Sequence, residues 1–123
     1  MKLEEGMYIR RIGIFKINTI EDFNSREYKI NGFYMNKKDI KKASYNIIDL
    51  LEVGDIITFK EDEDVYKILQ IPNEKCGLKD FYLVKNFDGE TEDIFVKYDY
   101  MKEYINSIVT KEKFEIMQYK VVE

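Results

Sequence analysis

The chain has 123 residues, 45% apolar and 36% charged, with ten Tyr, eight Phe, no Trp, one Cys and no His. That length and apolar content make one domain, or two small subdomains sharing a core, and argue against a disordered tail. A formal net charge of −4 disfavours a duplex-binding surface. The lone Cys76 excludes an intramolecular disulfide and a four-Cys metal site, and the absence of His removes the commonest general base, nucleophile activator and metal ligand.

At the amino terminus, Met1-Lys2-Leu3-Glu4-Glu5 has no apolar run behind its basic residue, so no signal peptide is read there. No stretch approaches the ~18 apolar residues of a membrane helix. The expectation is a cytoplasmic chain. Leu3-Glu4-Glu5-Gly6-Met7-Tyr8-Ile9-Arg10 then aligns with Leu51-Glu52-Val53-Gly54-Asp55-Ile56-Ile57-Thr58, and Ile14-Phe15-Lys16-Ile17 with Val65-Tyr66-Lys67-Ile68. The pattern predicts a strand–turn–strand unit used twice. The first copy turns near Arg10-Arg11 and Gly13, the second through Glu61-Asp62-Glu63-Asp64.

Asn18 to Glu27 is polar and reads as a loop. Tyr28 to Met35 predicts a hairpin, because Asn31-Gly32 suits the two positive-φ positions of a type I′ turn. Asn36 to Ser44 is basic and without periodicity. Asn46 to Leu51 is a short apolar run that predicts one helical turn. Asp55 to Lys60 and Val65 to Ile71 are strands, the second stopped by Pro72, and Asn73 to Lys79 is a loop. Phe81 to Lys85 and Thr91 to Lys97 flank Asn86-Phe87-Asp88-Gly89-Glu90 as another hairpin. Met101, Tyr104, Ile105, Ile108 and Val109 fit a helical template, yet residues 104–109 are rich in strand formers and are taken as strand. Thr110 predicts the cap of a short helix through Met117, and Gln118 to Val122 a closing strand.

The expected architecture is mainly β with minor α: small barrels built from hairpins, with a duplicated opening hairpin. They form either a single compact unit or two β subdomains, about 1–50 and 51–123. The opening Gly-x-x-Ile hairpin with its returning aromatic-Lys-Ile strand is similar to that of Src-homology-3-like barrels. The Leu-Glu-x-Gly opening, the block Asn46-Ile47-Ile48-Asp49-Leu50-Leu51-Glu52-Val53-Gly54-Asp55 and the closing Ile108-Val109-Thr110-Lys111-Glu112-Lys113-Phe114 resemble small prophage proteins of clostridia and related low-GC Gram-positive bacteria. The resemblance implies a phage-derived, cytoplasmic or virion-associated protein, and a closing strand followed by a short helix. It brings no catalytic, cofactor or metal residue with it.

Chemistry finds little footing. Cys76 has no His partner, and a plain loop thiol is the simpler reading. Glu61 to Asp64 has acid enough for Ca²⁺ or Mg²⁺ but lacks the spaced ligands and Gly of a calcium loop, so a solvated turn explains it better. The candidate interaction residues are Lys37, Lys38, Lys41 and Lys42, with Tyr34 before and Tyr45 after. They suit phosphates and stacked bases, or an acidic protein, and the plainer alternative is a solvated loop in a Lys-rich chain. Tyr82, Tyr98, Tyr100 and Tyr104 suit either an interface or a small aromatic core. The function read from these features is a non-catalytic, prophage-encoded module that binds a host or phage protein. The alternatives are a nucleic-acid-binding regulator using residues 37–42 and a structural virion component that oligomerises through edge strands. No cofactor and no membrane are expected.

Overall fold

The structure, a computed structural model, describes residues 2–85 and 92–122, with side chains through Met117. It is mainly β, with eleven strands and two α-helices among the described residues. The chain divides into two compact units, Met1–Leu50 and Leu51–Glu123.

The first unit contains β1 (Tyr8–Arg10), β2 (Ile14–Lys16), β3 (Ile20–Asp22), β4 (Glu27–Ile30), β5 (Phe33–Asn36) and β6 (Lys42–Ser44). A 3-10 turn at Lys37–Asp39 precedes β6 and another at Ile47–Leu50 follows it. The strands pair in the orders β2-β1-β6 and β3-β4-β5. The second unit contains β7 (Ile56–Phe59), β8 (Val65–Gln70), β9 (Asp80–Lys85), β10 (Glu92–Lys97), α1 (Tyr98–Tyr104), β11 (Ile105–Val109) and α2 (Lys111–Val122). Its single sheet runs β10-β9-β8-β7-β11. Among the described residues all ladders are antiparallel and form open sheets, with no closed barrel.

The repeated sequence folds the same way twice, bond by bond. Tyr8, Ile9 and Arg10 face Lys16, Phe15 and Ile14; the aligned Ile56, Ile57 and Thr58 face the aligned Lys67, Tyr66 and Val65. Gly6 donates to the Ile17 carbonyl at 2.9 Å and Gly54 to that of Ile68 at 2.8 Å. Ile17 donates back to Met7 at 2.8 Å, and Ile68 to Asp55 at 2.9 Å. Both glycines have positive φ, 90° and 98°, a backbone state that costs an L side chain strain.

The duplication reaches beyond what the sequence alignment catches. On its other edge β1 pairs with β6, placing Ala43 against Ile9; β7 pairs with β11, placing Ile108 against Ile57. Each unit also has an antiparallel strand pair between its opening and closing strands, β4-β5 in one and β9-β10 in the other. A helical segment precedes each closing strand, the 3-10 turn Lys37–Asp39 or α1. The units differ in the second position. β8 is continuous and bonds to both β7 and β9, with a register shift between Ile68 and Gln70. In the first unit that strand is broken into β2 and β3. The Asn31 side chain bridges the break: its Oδ1 accepts from Asn18 N–H at 2.7 Å and Thr19 N–H at 3.1 Å, while its Nδ2 donates to the Lys16 carbonyl at 2.9 Å. Asn31 therefore does two things, since with φ 51° it also takes the first left-handed position of the Asn31-Gly32 turn.

Each core follows from strand alternation. Ile9, Ile17 and Ile30 are fully buried in the first unit, with Leu3 and Met35 around them. Ile57, Ile68, Leu83 and Met101 are fully buried in the second. Burying such a side chain contributes about 1.5–3 kcal/mol each.

Several expectations are corrected. Asn18 to Glu27, read as a loop, contains β3, and the unassigned Asn36 to Ser44 contains a 3-10 turn and β6. Three-residue strands are too short to show a period, and pairing with a neighbour creates them. Gln118 to Val122 lies in α2, not in a strand; extending a nucleated helix costs less than starting a new element. The ambiguity over 100–109 resolves by division: Tyr104, taken as strand, ends α1, and the strand runs from Ile105 to Val109. The turn read at Asn86 to Glu90 lies outside the described residues.

Candidate functional site

The second unit carries an aromatic groove of about 320 Å³. Phe59 ends β7, Tyr66 lies near the start of β8, Tyr100 projects from α1, and Ile94, Phe95 and Val96 come from β10. Residues of β7 and β10, three places apart in the sheet, line the same groove. Phe59 meets Tyr66 edge-on at 5.2 Å between ring centroids and Tyr100 edge-on at 5.6 Å. Tyr104 extends the row at 4.6 Å from Tyr100, and Tyr82 stacks on Phe95 at 4.7 Å. Phe59 and Tyr66 are buried, forming the floor, whereas Tyr100 is 48% and Phe95 67% exposed. Exposed rings over a buried aromatic floor are the arrangement found where proteins hold apolar partners.

An acidic turn borders this groove. Glu61 takes a positive φ of 63°, letting the chain reverse after Lys60. Asp62 lines the groove and accepts from the Tyr66 hydroxyl at 2.8 Å and from Asp64 N–H at 2.8 Å. The backbone bond from Asp64, then that from Tyr66, hold the Asp62 carboxyl below its ordinary range. Burial, and then Asp62, push the Tyr66 phenol up, so it stays protonated and donating. Asp64 pairs with Lys85 at 2.9 Å. Among the described residues no group of three or more Cys, Asp or Glu is placed to hold a metal ion.

The basic residues expected to form one site are spread over several elements. Lys37 and Lys38 lie in the 3-10 turn, Lys41 just before β6, and Lys42 within it opposite Arg10. Lys37 pairs with Asp22 at 2.7 Å and stands 4.7 Å above the centre of the Tyr28 ring. Lys41 gives its N–H to the Arg10 carbonyl at 3.1 Å. Tyr34 is exposed on β5, edge-on to Phe23 at 4.8 Å, with the Lys29 ammonium 5.5 Å from its centre. Tyr45 gives its hydroxyl to Glu4, and that bond raises its phenol above the ordinary value. Of the six, Lys37 and Lys38 share a cavity; Tyr34, Lys41, Lys42 and Tyr45 do not line it.

Sequence reading found Tyr100 and the acidic turn but missed Phe59, Tyr66 and Phe95. The available signal was that Phe59 and Tyr66 flank the acidic turn of the repeated hairpin, one on each strand. Cys76, exposed, ends a 3-10 turn at Glu74–Cys76 that Gly77 caps in the left-handed state at φ 72°. Among the described residues no helix is long and apolar enough to cross a membrane. No known protein family, curated protein or solved structure matches this chain.

Proposed function

We propose that the protein is a non-catalytic, phage-derived interaction module made of two Src-homology-3-like units, and that the groove of the second unit grips an extended segment of a host or phage protein. The observation that carries this reading is the groove itself: Tyr100 and Phe95 exposed above a Phe59–Tyr66 floor, with Asp62 at its edge. Aromatic-lined grooves hold extended segments by packing on preformed rings, at low ordering cost. The strand order β10-β9-β8-β7-β11, matched in the first unit by β5-β4-β3 and β2-β1-β6 with the second strand split in two, supports the barrel-like reading, with the closing strand beside the opening one and a helical segment before it. A chain without His suits binding better than acid–base chemistry.

The test is capture from prophage-induced host cells on immobilised protein at moderate salt, run alongside Phe95→Ala/Tyr100→Ala. A discrete protein retained by the native chain and lost on the double variant is the expected result. Retention unchanged by the double variant, or no discrete protein across repeated inductions, rejects the groove as the binding site.

A further inference from the structure

A second cavity, of about 420 Å³, lies in the first unit and is polar and cationic: Ser25, Arg26, Asn36, Lys37 and Lys38 line it. From it, the geometry points to a binding site for the phosphate of a nucleotide, with the exposed rings of Tyr34 and Phe23 as the platform for the base. This is distinct from the aromatic groove of the second unit.

The walls are fixed by backbone bonds. Asn24 Oδ1 accepts from Arg26 N–H and Glu27 N–H, both at 2.8 Å. Lys37 N–H donates to the Arg26 carbonyl at 2.8 Å, locking the β3–β4 connection against the end of β5. Asn36 Oδ1 accepts from Lys38 N–H at 2.9 Å. Two cationic side chains, Arg26 and Lys38, are thereby collected from two connections beside a Lys37 that Asp22 already pairs, and their mutual repulsion opposes this unless a further anion is present.

The neighbouring carboxylates are already engaged. Asp22 is paired by Lys37 at 2.7 Å and Asp39 by Arg11 at 3.7 Å, while Glu27 accepts from the neutral Asn24 amide at 3.3 Å and keeps its charge. Arg26 and Lys38 have no ion-pair partner among the described residues. An Arg fork with a nearby Lys and a hydroxyl is a donor set suited to a tetrahedral oxyanion. The chain has only three Arg, and one of them lines this cavity.

The aromatics choose among phosphates. Tyr34 and Asn36 are two residues apart on β5 and so share a face. Tyr34 is 54% and Phe23 49% exposed, a cost in water that a stacked base removes. Inorganic phosphate has no use for these rings, and a phosphoserine presents no planar group of its own to stack on them.

The test is fluorescence anisotropy of a labelled ten-residue oligothymidylate, with adenosine monophosphate, inorganic phosphate and a phosphoserine peptide as competitors. Binding that Arg26→Ala/Lys38→Ala weakens tenfold or more, with the logarithmic salt slope reduced by about 1–1.5, is expected, as is weakening by Tyr34→Ala. Adenosine monophosphate competing at the oligonucleotide's own concentration range assigns the site to free nucleotides; failure to compete there assigns it to single strands. No binding of either nucleotide probe overturns the proposal. So does an equal loss in Lys75→Ala/Lys102→Ala, which removes the same charge elsewhere. Competition by the phosphoserine peptide as strong as by adenosine monophosphate, with Tyr34→Ala inert, also overturns it. Circular dichroism of each variant verifies folding, and Arg26→Lys, which keeps the charge but loses the fork, should recover only part of the affinity.

Discussion

Asp55 and Lys111 are fastened across 56 residues of chain: Oδ1 of the carboxylate accepts the Lys111 backbone N–H at 3.0 Å. Its other oxygen accepts from Glu52 N–H at 2.8 Å, and the side chain is wholly buried. One carboxylate thus closes the turn that opens the second copy and satisfies an N–H in the first turn of α2, which has no partner inside the helix. The first copy has Met7 at this place, and a four-residue 3-10 turn where the second has α2. Asp55→Ala takes this acceptor from both donors, at about 1–3 kcal/mol each, so a loss of about 2–6 kcal/mol is expected. Asp55→Asn retains an acceptor and should cost less. Urea denaturation of both variants measures this; an Ala variant as stable as the native chain refutes it.

The two turn glycines should respond unequally to the same substitution. Gly6 and Gly54 have φ of 90° and 98°, so alanine strains either by about 1–2 kcal/mol. A Cβ on Gly6 first meets the Tyr45 ring at 3.8 Å, an ordinary contact. On Gly54 it comes to 3.3 Å from the Lys111 Cβ, on the first residue of α2. Gly54→Ala should therefore lower the melting temperature further than Gly6→Ala does. Equal shifts would mean that α2 yields freely at its start.

The duplicated hairpin was legible because its Leu, Gly and Ile positions do the same job in each copy. That β6 and β11 are equivalent was not, although a strand was read at 104–109: Lys42-Ala43-Ser44 and Ser107-Ile108-Val109 share no residue at aligned positions, and only their pairing with Ile9 and Ile57 reveals the equivalence. β3 was hidden because Ile20 is a single apolar residue among polar ones. The Asn31-Gly32 turn was plain, yet the reach of Asn31 to the break between β2 and β3 is a tertiary relation that no local pattern encodes. For the sites, a run of Lys suggested one basic patch. The fold sends Lys42 into a strand and brings Arg26 in from 11 residues before Lys37.

The Asp62–Tyr66 pair predicts opposite pH limbs. Asp62 has a depressed value, so its contribution is complete above its ordinary value of 3.8 and is lost as pH falls through the lower, folded one. Tyr66 has a raised value, so its contribution is complete below the ordinary 10.0 and is lost as pH rises beyond it. Asp62→Asn should flatten the acid limb of a stability–pH curve, and Tyr66→Phe the alkaline limb. Asp62→Asn should also flatten part of the alkaline limb, because the carboxylate helps to hold the phenol protonated. Limbs in Asp62→Asn and Tyr66→Phe that superimpose on those of the native protein would show that this bond does not couple folding to pH.

Arg10 is the largest fully buried side chain among the described residues, and its Nη1 donates to the Leu50 carbonyl at 3.0 Å. It ties β1 to the 3-10 turn Ile47–Leu50, at the last residue of the first unit. The aligned Thr58 of the second copy does something different on its own edge, with its hydroxyl 2.5 Å from that of Ser107. Removing Arg10 opens a cavity and leaves a buried carbonyl short of its donor. Arg10→Ala should therefore cost about 3 kcal/mol or more. Arg10→Lys should recover little, because an ammonium on a flexible stem cannot reproduce the planar fork. Chemical denaturation gives the loss. Amide exchange gives its location: protection should fall in Ile47–Leu50 before it falls in β7, and uniform loss across both units would contradict a local staple.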